Sequence, residues 1–207
     1  MYLNLALASV FFGVLACLVR EGLWSNCIKL FNVVLAAMLA TNYFEPLADF
    51  LTVRMPTYTY VWDLIAVWGI FAVALIVMQT ITDRISRVQV RFRKPVEMAG
   101  GIFLACWVGW MMVCFTAFTL HLAPMSQSFL GDSFGASPDE AVFFGLAPDR
   151  QWLAFMHGMT DNGSLAKSHA PEDERTVFDP DADFIFKYAA SRKRFEDLRE
   201  IRTRGGR

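Results

Sequence analysis

The residues whose types could support catalysis or metal binding are few, and their spacing is unfavourable. His157 and Asp161 lie four residues apart and could share a metal ion on one helix face, but two ligands do not complete a site. His121 and His169 have no obvious partners in the sequence. The cysteines form no Cys-x-x-Cys pair, so neither a zinc site nor a disulfide framework is indicated; they are Cys17, Cys27, Cys106 and Cys114. A phosphate-binding glycine loop, a Gly-x-Ser-x-Gly elbow and a His-Glu-x-x-His motif are also missing. The sequence therefore predicts a protein that is not an enzyme and has no metal or cofactor.

A long apolar segment covers residues 23–51. Two amide side chains interrupt it, Asn32 deep inside and Asn42 closer to an end. A charged group at the centre of a bilayer costs about 2.5–3.5 kcal/mol and usually marks function, but no ionisable residue lies at the middle of a segment here. Asn32 either forms a hydrogen bond to a neighbouring helix or lines a polar path. The sequence favours the first interpretation and argues against a proton-coupled transporter working alone, whereas a pore formed by an oligomer stays open.

The composition indicates which part of the chain lies in a membrane. The chain has 207 residues, of which 55% are hydrophobic and 19% charged, whereas a typical soluble domain is about 45–50% apolar and about 25% charged. Residues 1–122 contain only 14 of the 39 charged residues, and residues 123–207 contain the other 25. This split predicts a membrane region followed by a polar tail. The net charge of −1 argues against a nucleic-acid partner.

Four segments are long and apolar enough to cross a bilayer, because a spanning helix needs about 20 mostly apolar residues. They cover residues 2–19, 23–51, 61–82 and 98–122. The links between them are short, so consecutive helices should be antiparallel neighbours. The predicted fold is an all-α, polytopic membrane protein whose residues 1–122 form a four-helix transmembrane bundle in contact with lipid. The first segment lacks the basic start of a secretory signal, so we expect a spanning helix that is not cleaved.

Small residues at a spacing of four predict where helices approach one another closely. The fourth segment carries Gly101, Ala105 and Gly109, and the first carries a second set, Ser9, Gly13 and Cys17. Both stripes are typical of packing within one bundle. A homodimer interface or contact with another membrane protein is the alternative, because the motif does not show whether its partner helix belongs to the same chain.

The loop after the third segment is strongly basic. It contains Arg84, Arg87, Arg91, Arg93 and Lys94, whereas the loop after the second segment contains only Arg54. Because basic short loops stay in the cytoplasm, the first and third loops are predicted to be cytoplasmic and both termini to lie outside. The simplest expectation for this basic loop is contact with anionic lipid headgroups, and a protein-docking patch is the alternative.

The tail, residues 123–207, is predicted to be partly helical and partly irregular. One short helix should begin at the capping box Ser137–Glu140 and continue to Phe144. A second should run from Pro148 to His157 and stop at Gly158, and a loop should cover residues 162–175. A last, amphipathic and basic helix should cover residues 181–202. It either pairs with the acidic part of the tail or binds a partner or lipid surface.

Two local segments carry a family resemblance over Gly13–Leu122. The turn Leu18-Val19-Arg20-Glu21-Gly22-Leu23 precedes a long second helix that ends in the aromatic-rich Asn42-Tyr43-Phe44-Glu45-Pro46-Leu47, and the second segment is the glycine-containing entry of the fourth helix, residues 97–109. With the four-span order, these segments resemble the bacterial colicin V production protein family. Met98 stands where that family often has a basic residue, and residues from Ala123 onward do not match its shorter C-terminus.

The resemblance implies a multi-pass protein of the bacterial inner membrane that supports toxin production, secretion or envelope upkeep. It transfers no catalytic or ligand residue. The expected function is therefore that of a non-enzymatic accessory or scaffold protein, and the alternative is a small oligomeric channel or transporter for solutes or ions.

Overall fold

The computed structural model describes residues 2–55, 59–86, 92–123, 143–161, 178 and 184–190. Five helices follow one another: α1 (Tyr2–Leu18), α2 (Leu23–Arg54), α3 (Thr59–Ile85), α4 (Lys94–Leu122) and α5 (Pro148–Asp161). Residues 184–190 are also helical. The described part of the chain is all-α, as the sequence predicts.

The first four helices follow the four apolar segments. Three of them, α2, α3 and α4, are long and apolar enough to cross a membrane. Helix α1 is apolar and shorter, with 17 residues, which at 1.5 Å per residue span about 25 Å, at the lower limit for crossing. The chain is thus a multi-pass membrane protein, and α1 as a fourth span stays a prediction.

Two compact units are distinguished, one formed by Ala6–Thr116 and one by Met1–Leu5 together with Ala117–Arg207. In the first unit, small side chains let the helices approach closely. Buried residues of α2 recur every four positions at Ala36, Ala40, Phe44 and Ala48. Helix α2 continues through Pro46, a residue that spanning helices tolerate.

Three helices of this first unit share one apolar cluster. It joins Leu18 at the end of α1, Val33 of α2, and Ala105 and Val108 of α4. Helices α3 and α4 are further joined by aromatic rings, because Trp68 and Phe71 both pack against Phe115, with centroid distances of 5.6 and 4.8 Å.

The second unit contains α5, whose buried side chains Trp152, Met156 and Thr160 recur every four residues. Phe118 stacks on Phe184 with ring centroids 5.0 Å apart. The backbone N–H of Phe178 donates to Thr160 Oγ1 at 3.2 Å. The end of the buried face of α5 is therefore bonded to residue 178 of the same unit.

Two predictions for the tail differ from the structure. Helix α5 does not stop at Gly158 but continues to Asp161, because Thr160 extends the buried face of the helix by another turn. The helix predicted to reach Phe144 does not do so, since residues 143–146 form a turn in which Phe143, Phe144 and Gly145 have positive φ. The rest of that predicted helix, the predicted loop at residues 162–175, and residues 181–183 and 191–202 of the last predicted helix lie outside the described residues.

Candidate functional site

The turn between α1 and α2 is pressed against the start of α4, and glycines make this contact possible. A Cβ placed on Gly101 would lie 3.0 Å from the backbone oxygen of Glu21, and one on Gly100 would lie 2.2 Å from Leu23 Cδ1. On the turn itself, a Cβ on Gly22 would lie 2.9 Å from Glu97 Oε1. The backbones of the turn and of α4 are therefore so close that a side chain at Gly101 would force them apart.

Asn26 connects the three helices that meet at this turn. It is fully buried, and its Nδ2 donates to Leu18 O at 3.1 Å and to Gly101 O at 2.9 Å. Both partners are carbonyl oxygens, which only accept, so the amide must present its nitrogen to them. One side chain of α2 thus holds the end of α1 and the start of α4. We name the set Glu21, Gly22, Asn26, Gly100 and Gly101 the three-helix junction.

One member of the three-helix junction, Glu21, forms a charged pair with Lys29. Lys29 Nζ binds Glu21 Oε1, and Ser25 Oγ donates to the other carboxylate oxygen. Burial raises the pKa of the Glu21 carboxyl, but the hydrogen bonds from Lys29 and Ser25 and the charge of Lys29 lower it more, so the pKa lies below its ordinary value. Because both side chains are about one-third exposed, solvent screens the pair, and its contribution to stability is small.

A polar cleft of about 260 Å³ lies between α2 and the end of α3. Two hydrogen bonds between these helices border it. Near the helix ends, Trp24 Nε1 donates to Ser86 Oγ at 2.9 Å, and deeper, Asn32 Nδ2 donates to Thr82 Oγ1 at 2.9 Å. Six polar side chains line the cleft, with Trp24 and Ile28: Ser25, Lys29, Asn32, Gln79, Asp83 and Ser86.

Asn32 has one hydrogen-bonding atom left over. The hydroxyl of Thr82 donates to Met78 O at 2.9 Å, so it can only accept from Asn32, which fixes the amide orientation. Asn32 Oδ1 is then buried and accepts no hydrogen bond from any described residue. An unpaired buried acceptor costs about 1–3 kcal/mol, so a donor from outside the described residues would stabilise this site.

The two predicted packing stripes have different surroundings. In α4, Ala105 is fully buried, Gly101 meets the turn, and a Cβ on Gly109 would lie 3.1 Å from the Phe11 ring of α1. In α1, the second stripe is exposed, and a Cβ on Gly13 would have no atom within 4 Å among the described residues; it comprises Ser9, Gly13 and Cys17. The α4 stripe therefore receives its neighbours from within the chain, whereas Gly13 in the exposed α1 stripe meets none among the described residues.

The remaining predicted residues are Asn42 and those of the basic loop. Asn42 is half-buried in α2. Of the basic loop, Arg84, Arg93 and Lys94 are exposed, and Arg87 and Arg91 lie outside the described residues. Sequence reasoning missed Asn26 and Glu21. The available signal was Glu21 immediately before Gly22 and the polar pair Ser25-Asn26 at the start of the second apolar segment.

The second unit contains a buried pair that the sequence did not reveal, because its members are 28 residues apart. His121 Nε2 lies 2.8 Å from Asp149 Oδ2, and both side chains are only 4% exposed. Burial raises the pKa of Asp149, but its hydrogen bond and charge interaction with His121 and backbone N–H groups at the start of α5 lower it more, so the pKa is below its ordinary value. His157 Nδ1 lies 3.4 Å from Phe178 O. Within the described ranges, no three His, Cys, Asp or Glu residues are grouped to hold a metal ion.

Comparison with known proteins gives one match. The family model described as "Colicin V production protein" matches residues 3–138, about two-thirds of the chain. Neither a curated protein nor a solved structure matches. The matched range includes the three-helix junction and the cleft.

Proposed function

The chain belongs to the colicin V production protein family, and from this premise we propose that it is a non-enzymatic accessory or scaffold protein of the bacterial inner membrane. Its role would be to support toxin production or secretion, or to maintain the envelope. The family membership supports the membrane setting and the general class of role.

The observation that carries this proposal is how the polar side chains of the spans are used. Asn26 joins α1, α2 and α4, and Asn32 joins α2 to α3. Thr41 and Thr80 bond back to carbonyls of their own helices, at 2.9 and 2.7 Å. The bonds of Asn26 and Asn32 fix helices relative to one another, which is what a protein that presents a docking surface needs, whereas the two threonine hydroxyls are satisfied within their own helices.

The channel alternative has one observation in its favour, the polar cleft that reaches Asn32. Immediately beyond Asn32, however, α2 buries Val33, Ala36, Ala37 and Ala40. None of these four residues lines the cleft, whose described lining reaches no further along α2 than Asn32. A polar lining that ends there favours binding over conduction.

The surface that this packing leaves exposed on α3 is apolar. Helix α3 exposes Ile65, Val73, Ile76, Val77 and Ile81, and only 17% of its most apolar window is buried. Lipid covers such a face in a bilayer, and a partner helix can replace lipid there or at the exposed α1 stripe. A second copy of the chain or another membrane protein is the proposed partner.

The orientation that we propose rests on the basic residues. Arg84, Arg93 and Lys94 are exposed around the α3–α4 link, and such basic residues support a cytoplasmic link near anionic headgroups, with both termini outside. Reporter fusions after Arg207 test it. Activity of a reporter that works only outside the cytoplasm is expected, and activity of a cytoplasmic reporter would reverse the assignment.

Complementation tests the physiological role. In a bacterium that encodes this chain, deletion is expected to reduce toxin export or to sensitise the envelope to detergent, and the full chain should restore both. The variant Asn26→Asp should restore neither, while Asn42→Ala should restore them. A deletion strain that exports normally and keeps its envelope resistance would refute the role.

Flux measurements on proteoliposomes test the alternative. Purified protein at high density is expected to carry no ion or solute current above that of protein-free vesicles. A current that scales with protein density and disappears with Asn32→Leu would replace the scaffold proposal with a channel.

A further inference from the structure

The cleft between α2 and α3 has the features of a binding site that the accessory role does not use. Its lining combines the ammonium side chain of Lys29 with the carboxylate side chain of Asp83 and the amide side chain of Asn32. The Oδ1 atom of Asn32 is buried and accepts no hydrogen bond from the described residues. A ligand that fits must therefore carry a hydrogen-bond donor to reach Asn32.

Along the helix axes, the charged side chains of Asp83 and Lys29 start close to the level of the Asn32 amide. Asn32 is hydrogen-bonded to Thr82, so Asp83, the next residue of α3, lies about 1.5 Å further along the axis, and Lys29 lies about 4.5 Å from Asn32 along α2. A positive group of the ligand is favoured between Asp83 and Asn32 Oδ1. A negative group is favoured at Lys29, whose ammonium has three donors and gives one to Glu21.

Further donors surround the Lys29 end of the cleft. Ser86 Oγ accepts from Trp24 Nε1, which leaves the hydroxyl hydrogen of Ser86 free to donate to an oxyanion. The ligand class defined by these groups is a phosphate ester that also carries a primary ammonium group.

The position and the volume of the cleft indicate that its ligand is the headgroup of a lipid. Hydrogen bonds between α2 and α3 border the cleft along the helix axes, and Gln79 and Asp83 are exposed at its side, so the opening is lateral. Helix α3 has 27 residues, about 40 Å, and the hydrocarbon core is about 30 Å thick, so its last turn lies at headgroup level. About 260 Å³ is below the range of about 300–1,000 Å³ for sites that enclose a whole drug-sized ligand, which suits a headgroup whose acyl chains stay in the bilayer.

We propose that the α2–α3 cleft binds the headgroup of an aminophospholipid of the phosphatidylethanolamine class. The phosphodiester contacts Lys29 and Ser86, and the primary ammonium contacts Asp83 and Asn32 Oδ1. This lipid binding is independent of the accessory role. A scaffold protein can function without a bound lipid, and a protein can bind lipid without being a scaffold.

Native mass spectrometry of the full chain, released from micelles containing equal amounts of three lipids, tests the proposal. The lipids are phosphatidylethanolamine, phosphatidylcholine and phosphatidylglycerol. We expect phosphatidylethanolamine to be enriched. The trimethylated ammonium of phosphatidylcholine has no N–H for Asn32, and phosphatidylglycerol lacks a positive group for Asp83.

Substitutions assign the enrichment to the cleft. Asp83→Asn should lower it about threefold, because the group is exposed and its charge is screened. Asn32→Ala should lower it about fivefold, because a buried acceptor is removed. The matched controls Asp49→Asn, an exposed carboxylate at the other end of α2, and Asn42→Ala should leave the enrichment unchanged.

A competition experiment distinguishes binding of a lipid headgroup from binding of a soluble compound with the same groups. Soluble phosphoethanolamine in excess should not displace the bound lipid; displacement would keep the ammonium–phosphate chemistry and assign the site to a soluble ligand. Equal occupancy of the three lipids by the parent chain would overturn the proposal. It would also be overturned by enrichment that persists in both Asp83→Asn and Asn32→Ala, whatever the outcome of the complementation assay.

Discussion

Replacing Asn26 should loosen the membrane-spanning unit more than replacing any other polar residue of α2. Its Nδ2 atom gives both of its hydrogens to other segments, one to Leu18 O at 3.1 Å and one to Gly101 O at 2.9 Å. Side-chain hydrogen bonds between membrane helices contribute about 0.6 kcal/mol on average and up to about 1.7 kcal/mol. Loss of two bonds at a fully buried position predicts that Asn26→Ala lowers the free energy of unfolding by about 1–3 kcal/mol.

The variant Asn26→Asp separates hydrogen bonding from packing. Aspartate has nearly the shape of asparagine, but an ionised carboxylate has no hydrogen to donate and would face two carbonyl oxygens. We therefore expect Asn26→Asp to be less stable than Asn26→Ala at neutral pH, although it leaves a smaller void. If packing were the main contribution of this residue, the order would be reversed.

Unfolding by sodium dodecyl sulfate in mixed micelles, followed by tryptophan fluorescence, measures both variants. Asn42→Ala is the matched control, because Asn42 is only half-buried in the same helix, and it should change the free energy by less than about 0.5 kcal/mol. Parent-like stability of Asn26→Asp would refute the hydrogen-bonded junction.

Three further predictions concern close packing and the second unit. Gly101→Ala should cost about 1 kcal/mol in the same unfolding assay, because its Cβ meets rigid backbone, whereas Gly100→Ala should cost less since a flexible side chain can move away. Gly13→Ala is the control and should be neutral or stabilising, so equal losses at positions 101 and 13 would refute the close contact. Because the pKa of Asp149 is lowered on folding, its contribution should be complete above about pH 4 and disappear as the pH falls further. Melting curves of Asp149→Asn between pH 2.5 and 6 should show a smaller dependence on pH than the parent, and parallel curves would contradict the pairing with His121. Trp152→Ala should destabilise α5 by about 3–5 kcal/mol, seen as faster cleavage of the tail in limited proteolysis, and an unchanged cleavage rate would contradict the burial of that ring.

The spanning helices could be predicted from sequence because a bilayer imposes one simple requirement. Each apolar segment needs about 20 residues with its backbone groups bonded internally, and residues 23–51, 61–82 and 98–122 fulfil this without any knowledge of their neighbours. Links rich in charge or proline then mark the helix ends to within a few residues. Family membership was accessible for the same reason, since the order and spacing of the spans are a property of the sequence alone.

The three-helix junction could not be predicted in the same way. Whether Asn26 points at other helices depends on the rotation of α2 about its axis, and apolar residues all around a spanning helix leave that rotation undetermined. The buried pair of His121 and Asp149 joins residues 28 positions apart, a contact that neither helical nor strand periodicity encodes. Gly158 illustrates the opposite error, because a local stop signal was outweighed by the buried face that Thr160 continues.

The α1 stripe shows why a small-residue motif needs the structure for its interpretation. The same spacing that puts Gly101 and Gly109 against other backbone and ring atoms leaves Gly13 without a described neighbour within 4 Å of its Cβ position. Spacing alone identifies a face of a helix, and only the helix arrangement shows whether the chain covers that face itself.

Photo-cross-linking in native membranes, followed by purification of the full chain, tests the central claim most directly. A cross-linking residue at Gly13, on the exposed α1 stripe, should capture a reproducible set of secretion or envelope proteins, whereas one at the fully buried Ala105 should capture none of them. A scaffold or accessory protein predicts this difference. Capture of nothing but lipid at both positions, from cells that are exporting toxin, would contradict it.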